Sequence, residues 1–313
     1  MADEVRATQV GLEVLAQRSD PEVRATQVGL EILAHIKPTI TAISDACLAV
    51  GQALTINGSD FHAVQGTGFV SFTGGGVAAI TSWADAQIVC TVPVGTTRGV
   101  VTVTDSDGYT SDGYAYSMHP IISGLTSTCL RALDSITIFG FYFGAAQGTG
   151  SVDFAGGGSA IVSAWDDDQI TVLVPVGTIK GNVSVTNDDG CVSNNFAYYT
   201  EPVINVLAPG SGVPLAPVSI IGESFYAVQG IGGVVIGALP ATIVSWSDVQ
   251  IDLLVPLLAP GVYNLFVVNS DGCFSDIVQF TVLGAGGRRT TPELPPVADS
   301  ISVTKLGQPP IIG

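Results

Sequence analysis

Leu54 and Ile56 alternate with Thr55 and Asn57 just ahead of Gly58, and the pattern returns as Ile136 and Ile138 before Gly140 and as Val218 and Ile220 before Gly222. A period of two marks a β-strand with one buried face. Before each of these strands lies a short extended piece beginning at Thr39, Ile121 or Val203. After it come Gly68-Phe69-Val70-Ser71-Phe72 and its equivalents, then a Trp before an acidic turn: Trp83-Ala84-Asp85, Trp165-Asp166-Asp167 and Trp246-Ser247-Asp248. Two more alternating runs follow, Gln87 to Pro93 and Gly99 to Thr104 in the first copy. The set closes on Asp105-Ser106-Asp107-Gly108, Asn187-Asp188-Asp189-Gly190 or Asn269-Ser270-Asp271-Gly272. Asp-Gly between alternating runs is a strong hairpin signal. Seven or so short strands per copy, with no long amphipathic helix, predict an all-β chain of small antiparallel sandwiches.

The copies are 82 residues apart, long enough for each to close its own core. Prolines at 38, 120 and 202 open them. The predicted organisation is a segment 1–37, immunoglobulin-like modules at 38–118, 119–200 and 201–283, and a Gly/Pro-rich extended tail at 284–313. Gly58, Gly140 and Gly222 are expected to take a positive φ at a bulge or tight turn. Phe61, Phe143 and Phe225, three residues later, are expected to plug the core. The triple-glycine runs 74–76 and 156–158 lack the Lys-Ser or Lys-Thr of a phosphate loop and fit turns between strands.

A shorter duplication precedes the modules. Glu4 to Ala16 recurs as Glu22 to Ala34, with Asp20-Pro21 between the copies. Val10, Leu12 and Val14, and in the second copy Val28, Leu30 and Ile32, alternate with polar or Gly positions, which predicts one strand per copy. Two strands alone are marginal in water. These six apolar residues are therefore the expected assembly anchor, packing on the first module, across subunits, or on another protein's sheet edge.

Charge narrows the partners. The net charge is −17, and residues 38–283 hold only Arg98, Arg131 and Lys180 as basic side chains. Nucleic-acid binding needs clustered Lys and Arg, so it is excluded as an expectation. No apolar run is long enough to span a membrane. The start Met1-Ala2-Asp3-Glu4-Val5-Arg6 has neither basic nor apolar region of a secretory leader, so none is expected. Cys47, Cys90, Cys129, Cys191 and Cys273 are an odd number. No pair of positions holds Cys in all three modules, since Ser211 and Tyr109 interrupt the two series. Reduced, buried thiols are the expectation, consistent with a reducing cytosol.

No catalytic site or cofactor is expected. His35, His62 and His119 lack matching partners for acid–base or nucleophilic work. Asp166-Asp167-Asp168 and the Asp105-x-Asp107-Gly108 turn carry oxygens of the kind calcium takes, yet the distal Glu of an EF-hand is missing. Turn chemistry alone accounts for Asp before Gly. Trp83, Trp165 and Trp246 fit a core or rim position better than a sugar platform.

The order of Pro, short strand, alternating strand ending in Gly, aromatic, Val-Pro, Asp-Gly turn and closing aromatic strand resembles the IPT/TIG family of immunoglobulin-like domains. The resemblance covers about 38–283. It implies the fold and leaves function open, because members occur in receptors, adhesins, sugar-processing enzymes, transcription factors and virions. The duplicated Val-Arg-Ala-Thr-Gln-Val-Gly-Leu-Glu segment resembles parts of tailed-bacteriophage structural proteins. That implies a non-enzymatic virion protein made in the host cytoplasm, a fibre or decoration on capsid, neck or tail. Its partners would be other virion proteins, itself, and a host-surface glycan. The alternative is a bacterial surface adhesin or carbohydrate-binding array, and a third reading is the accessory array of an enzyme.

Overall fold

The computed structural model describes residues 36–284 in full and, before them, the backbone of residues 5–9, 12–16, 22–27 and 30–35. The described residues contain no helix. Ahead of the modules, β1 (Val5–Gln9) pairs antiparallel with β2 (Leu12–Ala16), and β3 (Glu22–Gln27) with β4 (Leu30–His35). Each copy of the short duplication is thus a hairpin, and not the single strand its alternation predicts. Register explains the correction, because Arg6 lies opposite Leu15 and Thr8 opposite Glu13, so each copy folds back on itself. Leu12 and Val14 fall on β2, and Leu30 and Ile32 on β4. Val10 and Val28 lie outside the described residues.

The first module contains β5 (Thr39–Ile43), β6 (Cys47–Leu48), β7 (Ala53–Ser59), β8 (Phe69–Phe72), β9 (Gly76–Val77), β10 (Ala79–Ala84), β11 (Gln87–Thr91), β12 (Gly99–Thr104) and β13 (Tyr114–Met118). One sheet has the order β10-β11-β7-β5 and the other β6-β13-β12-β8-β9, with β6 parallel to β13. The alternating phase read from the sequence is the buried one. Leu54, Ile56, Val70, Ile88, Cys90, Val101 and Val103 are all 0% exposed and pack between the sheets. The sheet order recurs in the second and third modules, and Ile204, Val218, Ile220, Ile251, Leu265 and Phe280 belong to the equivalent core of the third. The Gly74 turn joins β8 to β9, as expected of that glycine run.

Phe61, Phe143 and Phe225 are 0% exposed. The repeated glycine ahead of them has a different reason from the one expected. Gly58, Gly140 and Gly222 do not take positive φ; that conformation falls two residues on, at Asp60 (61°), Tyr142 (64°) and Ser224 (58°). What the glycine supplies is space. A Cβ on Gly58 would lie 2.0 Å from Thr39 O and 2.3 Å from the Phe61 ring, and one on Gly222 would lie 1.9 Å from Val203 O. The Phe plug and the β5 backbone both close on the α-carbon.

The thiol expectation is overturned. Cys47 is bonded to Cys191 and Cys129 to Cys273, leaving Cys90 as the buried free thiol. The pairs cross from one module to the next, so searching for a bridge within each module misses them. Each pair lies within one of the two compact units of the chain. One unit is the first module joined by Tyr142–Gly150 and Thr186–Asn194 of the second. The other holds Ile122–Phe141, Ser151–Val185 and the third module. Cys191 belongs with the first unit, beside Cys47, while Cys129 and Cys273 share the second.

Candidate functional site

The Asp-Gly turns of the second and third modules are where each receives the module before it. In all three modules, the first residue of the turn folds the chain back on itself: the backbone N–H of Asp105, Asn187 and Asn269 donates to the carbonyl of Tyr109, Cys191 and Cys273 at 3.0 Å. In the second module's turn, Asn187 Nδ2 donates to Met118 O at 3.2 Å, and the Arg98 guanidinium meets Asp189 at 2.6 Å. Ser117 donates to the other oxygen of Asp189, and His119 Nδ1 lies 2.8 Å from Val192 O. In the third module's turn, Asn269 Nδ2 donates to Thr200 O at 2.9 Å, and Lys180 meets Asp271 at 2.7 Å. That hydrogen bond raises the lysine's pKa, and its ammonium also lies over the Tyr199 and Tyr226 rings. Arg131 pairs with Asp276. The ion pairs are partly exposed and individually worth about 0–1 kcal/mol; the disulfides carry the junctions.

Two of the three tryptophans, Trp83 and Trp246, are rim latches. Trp83 Nε1 donates to the carbonyls of Phe61 and His62, and Trp246 Nε1 to those of Phe225 and Tyr226. Each indole ties the plug segment to the acidic turn that follows it. His62 Nδ1 lies 2.9 Å from Ser106 Oγ, a loop-to-loop tie. Asp105 Oδ1 accepts the N–H groups of Asp107 and Tyr109, which is the turn chemistry expected there. Asp166, Asp167 and Asp168 are exposed. Among the described residues there is no group of three or more His, Cys, Asp or Glu placed to hold a metal.

A candidate ligand surface lies where no residue was singled out from the sequence. In the second module's four-stranded sheet, Ser135–Phe141 buries Ile136 and Ile138 and turns Phe139 and Phe141 outward, 41% and 56% exposed. Residues two apart on a strand share a face about 7 Å apart. Phe139 is in register with Gln169, and the hydroxyls of Thr137 and Thr171 stand 3.3 Å apart on the same strands. The corresponding residues are Asn57 and Ser59 in the first module and Ile221 and Glu223 in the third. The aromatic pair belongs to the second module alone. Its signal was in the sequence all along: two phenylalanines in the polar phase of a strand.

The third module's matching sheet carries a polar counterpart. Asp252 accepts hydrogen bonds from Ser219 Oγ at 2.6 Å, Ser245 Oγ at 2.6 Å and Gln250 Nε2 at 2.9 Å. These donors hold its carboxyl below the ordinary aspartate value.

Among solved structures, the chain is similar to the SGBP-B protein of a complex xyloglucan utilization locus in Bacteroides uniformis. Identity there is 16%, the match covers 74% of this chain and 66% of that one, and the TM-score is 0.27. It is also similar to the Bacteroides ovatus mixed-linkage glucan SGBP-B in complex with a heptasaccharide, at 12% identity, 74% and 63% coverage and a TM-score of 0.24. Scores at this level leave function open. A segment of 81 residues is 37% identical to the cyclomaltodextrin glucanotransferase of Bacillus sp. (strain 17-1), covering 25% of this chain and 11% of that enzyme. The IPT/TIG domain model matches residues 38–118 and 202–282, more than half of the chain. With the paired sheets and plug motifs of all three modules, this shows that the chain belongs to the IPT/TIG domain family.

Proposed function

We propose that this chain is a non-enzymatic glycan-binding array that works in an oxidising compartment. The observation that carries the proposal is the outward pair Phe139 and Phe141. A pyranose ring has an apolar C–H face and an equatorial rim of hydroxyls. Neighbouring aromatic faces receive the first, and Gln169, Thr137 and Thr171 have the donors and acceptors for the second. The shared segment with a glucan-converting enzyme supports this ligand class. The two disulfides support the compartment, because such bonds persist outside the reducing cytosol.

Attachment to a virus particle draws support only from the duplicated hairpins, whose strands leave open edges suited to β-augmentation. It loses the reduced thiols that favoured assembly in the cytosol. In the present proposal the hairpins, with Val10, Leu12, Val14, Val28, Leu30 and Ile32, anchor the array to whatever carries it, and many weak glycan contacts act by avidity.

The test is affinity electrophoresis and calorimetry of the full chain against soluble maltodextrin, xyloglucan and mixed-linkage glucan. Phe139→Ser with Phe141→Ser is the comparison. Binding to at least one glucan, weakened about tenfold or more by the double substitution (1.4 kcal/mol) at unchanged melting temperature, is expected. Absence of binding to all three, or equal binding by the variant, overturns it.

A further inference from the structure

The three Asp-Gly turns are built alike, yet the first is short of a partner. Cys191 N–H donates to Asn187 Oδ1 at 3.0 Å, Cys273 N–H to Asn269 Oδ1 at 3.1 Å, and Tyr109 N–H to Asp105 Oδ1 at 2.9 Å. The other side-chain atom is what differs. Asn187 Nδ2 donates to the carbonyls of Met118 and Tyr142, and Asn269 Nδ2 to those of Thr200 and Ser224. In the first module the place of that amide nitrogen is taken by Asp105 Oδ2. Asp105 is 1% exposed, and Oδ2 is buried with no hydrogen-bond partner.

The repeat identifies the carbonyls that correspond to the two acceptors. One period before Met118 and Tyr142 stand Ile36 and Asp60. Asp60 shares the positive φ of Tyr142 and Ser224, so its peptide is turned the same way. A carboxylate oxygen in the amide's place therefore faces acceptors where the sister modules have a donor. Buried acceptors facing one another are costly unless something positive lies between them.

The sister turns also show where positive charge belongs. Asp189 and Asp271, one residue before the turn glycine, receive Arg98 and Lys180 from the preceding module. The equivalent Asp107 lies 3.9 Å from His62 Nε2. Lys37, the basic residue just ahead of the first module, goes to Asp112 at 2.7 Å.

We propose that Asp105 Oδ2, with the carbonyl oxygens of Ile36 and Asp60, binds a hard cation, calcium or sodium, that fastens the segment before Pro38 to the first module. All three donors are oxygens, which suits these ions and not a thiolate- or imidazole-seeking metal. Water completes the shell. Asn187 and Asn269 do the same work in their modules without an ion, so the site belongs to the first module alone.

Thermal unfolding of the full chain tests this. The protein is stripped with chelator, dialysed into tetramethylammonium chloride, and titrated with CaCl2 or NaCl at constant ionic strength. Asp105→Asn, which restores the sister modules' residue, is the comparison. The wild type is expected to gain about 3 °C or more, saturably, with one of the two ions, whereas the variant melts at one temperature throughout. Calcium alone, or sodium alone, identifies the ion. A wild type indifferent to both, or a variant that keeps the response, overturns the proposal, the latter assigning the effect to general screening of an acidic surface.

Discussion

Cys47 and Cys191 lie 144 residues apart in sequence with their α-carbons 5.5 Å apart, and Cys129 and Cys273 repeat that separation at 5.6 Å. Each bond joins a short strand of one module to the Asp-Gly turn of the next. At the two ends of this ladder stand Tyr109 and Ser211, so cysteine occurs at the four internal positions and at neither terminal one. Thiol titration of the denatured, unreduced chain should find one reactive group, Cys90, and five after reduction. Burial raises that thiol to about 11, so in the folded protein it should resist modification at neutral pH.

Replacing Cys47 and Cys191 together by serine removes a long-range constraint from the unfolded chain. For a loop beyond 100 residues the entropic effect approaches about 5 kcal/mol, with engineered cases giving less. A fall of several degrees in the melting temperature is expected, and the same for Cys129 with Cys273. An unchanged melting curve for both would mean that the junctions hold without their bridges.

Gly58→Ala and Gly222→Ala should each cost more than about 2 kcal/mol, because the new methyl meets backbone carbonyl oxygen and an aromatic plug at once. Gly124, with open space around its α-carbon and no positive φ, is the control. Its substitution by Ala should change stability by less than about 0.5 kcal/mol in chemical denaturation.

The buried plug just past the strand and the outward pair on it should separate cleanly. Phe143→Ala empties a fully buried site and should cost about 3–5 kcal/mol, while Phe139→Ser and Phe141→Ser should leave the denaturation midpoint nearly where it was.

Asp252 gives a pH-dependent readout. Its folded value lies below its unfolded one, so its contribution is present above the unfolded value and lost as pH falls through the folded value. The group is partly exposed and screened by solvent, so the stability effect is small and the titration itself is the sensitive measure. Carboxyl chemical shifts should give a midpoint below that of ordinary aspartate, and Ser219→Ala with Ser245→Ala should move it upward. A midpoint unmoved by removal of both hydroxyls would assign the depression elsewhere.

Much of this architecture was legible in the chain because it is written three times. The buried phase of Leu54 and Ile56, the Phe61 plug and the Asp-Gly turns follow from periodicity and turn chemistry. Gly58 was identified for the wrong reason, since sequence shows that a side chain is absent and not what would collide with it. The hairpin within each copy of the N-terminal duplication was hidden by alternation running through Val10-Gly11. The disulfides do not follow from equivalence within a module, because they join successive modules, 47 to 191 and 129 to 273 being the same step. Phe139 and Phe141 stand in the polar phase of their strand, and sequence alone does not distinguish an outward aromatic pair from one covered by a neighbouring element.

The crossed bonds also decide how the array would take a pull. Between Cys47 and Cys273 there are two short covalent routes, one along the first repeat and across to Cys273, the other across to Cys191 and along the last repeat. Each contains a single repeat of backbone, so tension divides between parallel strands of chain instead of running through three modules in series. Loss of either bond leaves one short route intact. Only when both are broken does the molecule lengthen by its full contour, which makes the array a tether with a built-in stop.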